Sequence, residues 1–232
     1  MLNSGLAYSV NSMSTQAKRL DAITYNLANS NTIGFKRRMT AAVAEETGTK
    51  GQVLNVTTLT RTDFGQGPIK HTGNRFDLAL DGEGWFPVEG PNGEMFTRRG
   101  DFRIGDAGVL QTQEGYPLAW KTAPGRLEAA GTAITISKNG QVFQDGGAVG
   151  QLEIVAFPAQ DQLKPLNGGY WKADARLKRE TSDAQVHQFA VEGSNTTSVD
   201  QLVEMIGVQR HYESSARMLT MIDRSYQRLN RQ

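Results

Sequence analysis

The feature that most constrains this chain is a regular spacing of apolar residues near its N-terminus. They recur at alternating intervals of four and three residues, and the alternation breaks only at Thr24. This spacing puts them on one narrow face of a helix and predicts that the helix lies along a partner helix. The face comprises Leu6, Val10, Met13, Ala17, Leu20 and Leu27. Residues 29–36 include Asn29, Asn31 and Gly34, and they predict the helix end because Asn and Gly tolerate left-handed backbone angles.

A second face of this kind occupies the other end of the chain. Its apolar and large residues again recur at intervals of three and four. They are Leu202, Met205 or Ile206, Gln209, Tyr212, Ala216, Leu219, Ile222, Tyr226 and Leu229. The sequence Ser198-Val199-Asp200-Gln201 fits a capping box, in which the Ser198 hydroxyl and the Gln201 side chain satisfy exposed backbone N–H groups. It predicts the start of the second helix.

The two terminal helices are predicted to pair with each other in antiparallel orientation. One helix leads into the middle region and the other returns from it, so antiparallel packing is the simplest arrangement. The alternative is that each helix packs separately on a globular core. The narrowness of both faces favours the pair. A two-helix seam buries little apolar surface, so neighbouring copies are expected to complete its burial and the termini to fold on association.

The middle of the chain has the sequence character of β-structure. Short apolar alternations are separated by turn signals such as Asn92-Gly93 and Asn139-Gly140, which predicts an antiparallel barrel or sandwich. The pattern is unclear over 170–188. The fold class is therefore α+β, with a long antiparallel helix pair of the coiled-coil type. The predicted parts are an N-terminal helix (1–35), an extended connector with at most one strand (36–66), a β domain (67–191) and a C-terminal helix (192–232).

Composition excludes several classes of function. The chain has 25 Lys+Arg against 24 Asp+Glu, so no net field attracts nucleic acid or an anionic membrane. It has no cysteine, which excludes disulfides and thiolate metal sites. No apolar stretch approaches the ~18 residues of a membrane helix. The N-terminus lacks a basic region and an uninterrupted apolar segment, so no cleaved secretory signal is expected.

The titratable residues offer little catalytic chemistry. His71, His187 and His211 are not at metal-ligand spacing. Asp77 and Asp81 are four residues apart in a predicted strand and share a face, which could suggest a pair of acid and base carboxylates. Turn positions explain both better. No catalytic residue, cofactor or metal is therefore predicted, and the chain is not expected to be an enzyme.

Several short motifs resemble those of the bacterial flagellar rod and hook proteins. They occur in the family's order along almost the whole chain. These motifs are Arg19-Leu20-Asp21, Asn26-Leu27-Ala28-Asn29, Asn31-Thr32-Ile33-Gly34-Phe35-Lys36, Gly73-Asn74, Asp77-Leu78-Ala79-Leu80-Asp81-Gly82-Glu83-Gly84, Gly115-Tyr116-Pro117-Leu118, Glu192-Gly193-Ser194-Asn195 and Met205-Ile206-Gly207-Val208-Gln209-Arg210-His211-Tyr212-Glu213.

The resemblance implies a structural subunit of a tubular helical assembly, with the terminal helices inside and the β domain outside. One compact β region and a short connector are most similar to a proximal rod protein; a distal-rod or hook subunit is the alternative. The implied partners are copies of itself, other rod proteins and the flagellar type III export apparatus. The implied location is the rod crossing the periplasm, after export without a cleaved signal. A wall-cleaving hydrolase with coiled-coil ends is the rival from another class.

The residues predicted to form the assembly interface lie on the two helix faces and at the exit of the first helix. In the N-terminal part they are Leu6, Val10, Met13, Leu20, Leu27, Asn29, Asn31, Gly34 and Phe35. In the C-terminal helix they are Leu202, Met205, Ile206, Gln209, Tyr212, Leu219, Ile222 and Tyr226.

Overall fold

A computed structural model describes residues 2–45, 55–122, 126–128 and 133–229. The described elements begin with one long helix, α1 (Leu2–Ala28), and end with another, α2 (Ser198–Leu229); the strands lie between them in the sequence. The strands are β1 (Arg38–Glu45), β2 (Asn55–Thr62), β3 (Ile69–His71), β4 (Leu78–Asp81), β5 (Phe86–Gly90), β6 (Gly93–Thr97), β7 (Arg103–Ile104), β8 (Leu110–Gln111), β9 (Ile134–Ile136), β10 (Gln141–Gln144), β11 (Gly147–Gln151), β12 (Val155–Ala156), β13 (Lys164–Pro165), β14 (Tyr170–Lys172), β15 (Glu180–Thr181), β16 (Gln185–Gln188) and β17 (Ala190–Glu192). The α+β class is confirmed.

The chain forms two compact units, each built from separated segments. The helical unit consists of Met1–Ser30, Arg37–Asp63 and Thr196–Gln232. The β unit consists of Asn31–Lys36 and Phe64–Asn195. The chain therefore passes between the units after Ser30, Lys36, Asp63 and Asn195. The division of the sequence into four successive parts stays a prediction.

In the helical unit, α1 and α2 are in contact and antiparallel. As the residue number rises along α1, that of its partner on α2 falls. The hydroxyl oxygens of Ser12 and Ser215 lie 3.1 Å apart, and Arg19 pairs with Glu204 at 2.7 Å. The antiparallel direction follows from these contacts.

The same unit contains a two-stranded antiparallel ribbon formed by β1 and β2. Its register runs from Arg38 opposite Thr62 to Glu45 opposite Asn55. The prediction allowed one strand in this connector, so it missed one of the two. The reason lies in the composition of the two strands: Ala and Thr occupy many positions on both faces, so the apolar alternation is weak.

The start of α2 differs from the predicted capping box by one residue. Thr197, not Ser198, is the cap, because its hydroxyl oxygen accepts a hydrogen bond from the backbone N–H of Asp200 at 3.2 Å and donates to the Asp200 carboxylate at 2.6 Å. The Ser198 hydroxyl is instead 2.7 Å from that of Ser30. Gln201 also has another partner, since its side-chain oxygen accepts from Asn26 at 3.2 Å.

The β unit is made of several small antiparallel sheets. The largest has four strands in the order β13-β14-β6-β5, and a second has three in the order β11-β10-β9. Four further pairs are β12-β15, β16-β4, β17-β3 and β7-β8. These sheets do not close into a barrel over the residues described, so the barrel prediction is wrong. Most strands have only two to five residues, and the β10–β11 register shifts between Val142 and Phe143, which interrupts a continuous ladder.

The turn signal Asn92-Gly93 does mark a hairpin, between β5 and β6, but Asn92 and Gly93 are not its two loop residues. Gly90 pairs with Gly93, so the two loop residues are Pro91 and Asn92. The positive φ of 100° belongs to Gly93, the first residue of β6. A turn followed by a left-handed glycine is a common hairpin solution, and Pro91 suits its first loop position.

Two apolar clusters form the core of the β unit. The larger includes Phe86, Phe102, Leu78 and Leu110, and the rings of Phe86 and Phe102 meet edge to face at 5.2 Å. The smaller is aromatic and contains Trp85, Phe96, Phe157 and Trp171. Residues 170–188, for which no pattern could be assigned, contribute β14, β15 and β16, and with them Trp171 and Val186 of the core.

Candidate assembly interface

The contact between α1 and α2 is more polar than the predicted apolar seam. Asn26 and Gln201 form a buried hydrogen bond, and Asn26 also donates to the Arg38 carbonyl at 2.8 Å and accepts from the Arg38 N–H at 2.7 Å. Around this centre Ala22, Ile23 and Val208 are buried. The prediction did not include Ile23 or Val208. Ile23 lies one residue before Thr24, where the predicted α1 spacing breaks; that break was the signal in the sequence.

The predicted residues of the N-terminal part have mixed environments. Val10 is exposed, whereas Met13, Leu20 and Leu27 are half-buried. Asn29 is half-buried and Asn31 is exposed. The side chain of Leu6 lies outside the described residues. Gly34 and Phe35 are buried and belong to the β unit.

The predicted residues of α2 also fall into two groups. Met205, Leu219 and Ile222 are half-buried. Four others are exposed, namely Leu202, Ile206, Gln209 and Tyr212. The side chain of Tyr226 lies outside the described residues. The helix therefore carries apolar residues on more than one side, and which of them meet a neighbouring chain stays a prediction.

The exposed apolar residues at the start of α2 form one surface, here called the outer patch. It consists of Val199, Leu202, Val203 and Ile206, and three of these are more than half exposed: Val199 at 69%, Val203 at 66% and Ile206 at 52%. At about 100° per helical residue, the outer patch lies opposite Gln201 and Val208, which are buried. A helix that is buried on one side and apolar on the opposite, exposed side has a second surface left for a partner.

A buried ionic cluster ties together segments of the β unit that are far apart in sequence. Glu192 is fully buried, and its carboxylate accepts from Lys36 Nζ at 2.6 Å, from Arg98 at 3.1 Å and from the Gly67 N–H at 2.9 Å. Lys36 also donates to the Gly65 carbonyl at 2.9 Å. Lys36, Gly65 with Gly67, and Glu192 lie close to three of the four points at which the chain changes unit. The cluster therefore holds these three segments of the β unit together.

The electrostatics of this cluster depend on its complete pairing. Burial lowers the pKa of Arg98 from its ordinary value, and the charge and hydrogen bond of Glu192 oppose that shift without cancelling it. Arg98 also lies 5.5 Å from the centre of the Trp85 ring and donates to the Gly82 carbonyl at 2.8 Å. A buried carboxylate shared by two cations is costly to leave unpaired. Two of the three charged residues, Lys36 and Glu192, lie in the motifs that carry the family resemblance; nothing in the sequence marked Arg98.

Gly34 is required where the chain enters this cluster. Its φ is +66°, and a Cβ placed there would lie 2.5 Å from the carbonyl carbon of Arg98. Its N–H donates to the backbone carbonyl of Glu192 at 2.8 Å. Both the left-handed angle and the close backbone approach therefore require glycine.

The candidate carboxylate pair has structural surroundings. Asp77 is buried and accepts hydrogen bonds from the Thr72 hydroxyl at 2.6 Å and from the Asn74 amide at 2.9 Å. Asp81 is exposed, and its carboxylate lies 3.5 Å from Nε2 of His187. Asp77 therefore stabilises a turn. Within the described parts of the chain there is no group of three His, Cys, Asp or Glu residues that could hold a metal ion. Neither described helix has the length and apolarity needed to cross a membrane.

A helix pair with an unpartnered outer patch and a β unit stabilised by a buried ionic cluster are features of a structural protein. Comparison with known families agrees with this class. Residues 6–36 match the family "Flagella basal body rod protein", and residues 187–232 match "Flagellar basal body rod FlgEFG protein C-terminal". Residues 79–144 match "Flagellar hook protein FlgE/F/G D1 domain".

Individual relatives support the rod rather than the hook. The flagellar basal-body rod protein FlgF of Caulobacter vibrioides is 32% identical over 221 residues, covering 88% of this chain and 87% of the relative. The rod protein FlgG of Agrobacterium fabrum is 29% identical over 252 residues, covering 94% and 95%. The hook protein FlgE of Brucella melitensis is 36% identical, but the match covers 69% of this chain and 42% of the relative.

The chain belongs to the family of flagellar basal-body rod proteins. It is a structural subunit of the rod, located at the basal body of the bacterial flagellum, and not an enzyme.

Proposed function

We propose that this rod protein assembles with copies of itself and with other rod proteins through its terminal helices, in the proximal part of the rod. The observation that carries the proposal is the outer patch of α2, in which Val199 and Val203 are about two-thirds exposed. Apolar surface of this kind on a long helix marks a protein contact. The half-buried residues Met13, Leu20, Met205 and Leu219 belong to the pair of helices within one chain, which is of the coiled-coil type.

The proximal assignment depends on the size of the chain. The alignment with FlgG of Agrobacterium fabrum spans 252 residues, more than the 232 of this chain, whereas that with FlgF of Caulobacter vibrioides spans 221. Because these alignments cover 94% and 88% of this chain, both relatives hold segments that the present chain lacks, and the FlgG holds more of them. Distal-rod proteins are expected to carry an insertion in the connector, and in this chain only nine residues separate β1, which ends at Glu45, from β2, which begins at Asn55.

In this proposal, the ionic cluster of the β unit anchors the segments that transmit mechanical load. A rod subunit must carry load between its β unit and its helices through the segments that pass from one to the other. Lys36, Glu192 and Arg98 hold these segments inside the β unit by ion pairs of 2.6 and 3.1 Å. The cluster fixes the anchoring end of each segment.

The family also suggests how the chain reaches its place. We propose export through the flagellar type III apparatus without removal of a signal peptide, and a final position in the rod where it crosses the periplasm. The support is family membership alone. Mass spectrometry of the protein from purified basal bodies tests it, because an intact N-terminal peptide is expected and a shortened one would contradict the proposal.

The assembly surface is tested by changing Val203 in two ways. Val203→Asp places a charge in the outer patch, where it would have to be desolvated on contact with another chain. We expect this variant to be absent from purified basal bodies and the cells to be non-motile. Val203→Leu keeps the position apolar and is expected to assemble. Far-UV circular dichroism of both purified chains controls for folding, since Val203 is exposed; normal assembly of the Asp variant would contradict the proposal.

The proximal position has a separate test. A proximal segment must stop after a limited number of copies, whereas a head-to-tail interface that does not close can extend without limit. We expect concentrated purified protein to form no long tubes, and we expect basal bodies from a deletion strain to end before the distal rod. Electron microscopy of both samples decides. Long self-polymers, or a complete distal rod without this chain, would assign it to the distal rod or hook.

A further inference from the structure

The ribbon of the helical unit has an outer face that is apolar and exposed. The register places Met39, Ala41 and Val43 opposite Arg61, Leu59 and Thr57, and alternate residues of a strand share a face. All six are exposed, with Met39 at 44%, Val43 at 40% and Leu59 at 42%. The face therefore presents three large apolar side chains to solvent.

The opposite face of the ribbon is the polar one, and it is directed at α1. The Thr58 hydroxyl donates to that of Thr15 at 3.2 Å, and Asn26 binds both backbone groups of Arg38. Thr40 and Thr62, on the same face as Thr58, are half-buried, whereas Thr60 on that face is exposed. A ribbon packed on its own chain ordinarily turns its apolar face inward. Here that polarity is reversed, and hydrogen bonds to α1 hold the ribbon in this orientation.

The helical unit thus has two exposed apolar surfaces of different shape, the ribbon's outer face and the outer patch of α2. They do not cover each other within one chain, because both are exposed. Their dimensions agree. Met39 to Val43 spans about 13 Å of strand, and Val199 to Ile206 spans about 11 Å of helix.

We propose that the outer face of the ribbon in one copy packs on the outer patch of α2 in the next copy. The inference rests on the proposed function, namely that the chain assembles with copies of itself, and names the contact. Two different surfaces that meet form a head-to-tail interface, and such an interface continues into an open helix when its rotation does not close. A contact of the ribbon with itself would be two-fold and would end at a pair.

The area of the ribbon indicates when the contact forms. Eight residues on each of two strands give a face of about 250 Å², well below the ~800 Å² per partner of a stable pair. The contact is therefore too small to hold two free copies together, and it forms in a rod, where other contacts act at the same time. This contact alone is accordingly not expected to pair free chains.

Cysteine pairing tests the contact, since the chain has no cysteine of its own. A strain without the chromosomal gene is given two alleles, one with a ribbon change (Met39→Cys, Val43→Cys or Leu59→Cys) and one with a patch change (Val199→Cys, Val203→Cys or Ile206→Cys). Each chain holds one thiol, so any disulfide joins two chains. After oxidation of purified basal bodies, at least one ribbon–patch combination is expected to give a band at twice the 25.4 kDa chain mass. The matched control is Thr58→Cys, on the face towards α1. With the same patch variants it should give several-fold less disulfide-linked dimer.

The outcomes separate this inference from the proposed function. Absence of the wild-type protein from basal bodies contradicts the proposed function itself. Incorporated variants with no ribbon–patch dimer in any combination overturn the inference alone. Dimers formed as strongly by the ribbon variants without a patch allele also overturn it, because they indicate a ribbon-to-ribbon contact. The same dimers in dilute purified protein would contradict the statement that this contact is too small to form between free chains.

Discussion

The helical unit and the β unit place their apolar residues differently. In the β unit Trp85, Phe86 and Leu78 are fully buried, and even the charged Glu192 is enclosed by its partners. In the helical unit the buried contact includes Asn26 and Gln201, while Val199 and Val203 are exposed. The β unit buries most of its large apolar side chains within one chain, and its exposed ones, Ile69, Leu166 and Phe189, are exposed by only 38%, 39% and 38%. The helical unit leaves much of its own surface unsatisfied, as expected of a region completed by neighbouring subunits.

The difference predicts unequal stability in the isolated chain. We expect Phe76–Leu118 of the β unit to exchange amide hydrogens near the global unfolding limit, and residues 4–29 and 199–229 to exchange through local opening. The difference in opening free energy should be on the order of 5 kcal/mol. Hydrogen exchange of a verified monomer measures it. Equal protection of the helices and the β unit would contradict the predicted difference in stability between the two units.

How far the sequence predicts each unit follows from the range of its contacts. The helices α1 and α2 were predictable because their periodicity is local and extends over many residues. The ionic cluster was not, because Lys36 and Glu192 are 156 residues apart and nothing local indicates that they meet. The same holds for Asn26 and Gln201, because a helix contact predicted from the spacing of apolar residues does not include polar ones.

The ribbon and the short strands were harder to predict for another reason. In the β1–β2 ribbon, Ala and Thr occupy many positions on both faces, which weakens the alternation on which strand prediction depends. In the β unit, strands of two residues such as β12 and β15 are too short for alternation to be detected. Their position follows from pairing with distant segments.

The second largest expected effect is the loss of β-unit stability caused by Glu192→Gln. This change removes the carboxylate charge that pairs with both Lys36 and Arg98, so two buried cations lose the counter-charge that they share. Breaking a buried pair costs about 3–5 kcal/mol. Urea unfolding followed by tryptophan fluorescence measures it in the β unit, which contains Trp85, Trp120 and Trp171.

The control for this change is Glu94→Gln, which breaks the exposed pair with Arg179. Exposed pairs contribute about 0–1 kcal/mol, so little change is expected. If Glu192→Gln is no worse than Glu94→Gln, the cluster does not stabilise the β unit and its proposed anchoring part is lost as well.

Gly34→Ala should come next, because it combines two costs in the β unit. The left-handed angle of +66° costs a non-glycine residue about 1–2 kcal/mol, and the new Cβ must also displace the backbone of Arg98. Gly73→Ala is the matched control, since its φ is +76° but no atom lies within 4 Å of the added carbon. The fluorescence-detected loss should therefore be larger at Gly34. Equal losses would mean that the backbone approach at Arg98 relaxes freely.

Leu20→Asp and Leu219→Asp address the helical unit. Both leucines are half-buried, so the isolated chain should lose only about 1 kcal/mol of helix stability. Motility should nevertheless fail, because every copy in the assembly carries the defect. Tryptophan fluorescence should show the β unit unfolding as in the parent protein. Normal swimming by either variant would mean that these positions do not contact a partner helix.

The smallest effect concerns a carboxylate at the surface of the β unit. Burial raises the pKa of Glu114, but hydrogen bonds from Tyr170, the Glu114 backbone and Arg99 outweigh it and leave that pKa below the ordinary 4.5. A lowered pKa in the folded state adds stability that is present above about pH 4.5 and is lost as the pH falls through the folded value. Glu114→Gln removes this contribution, so its melting temperature should lie slightly below the parent's at pH 7 and approach it towards pH 3. Glu89→Gln, at an exposed position, is the control; a constant difference between Glu114→Gln and the parent at all pH values would show that the charge of Glu114 is not what the β unit uses.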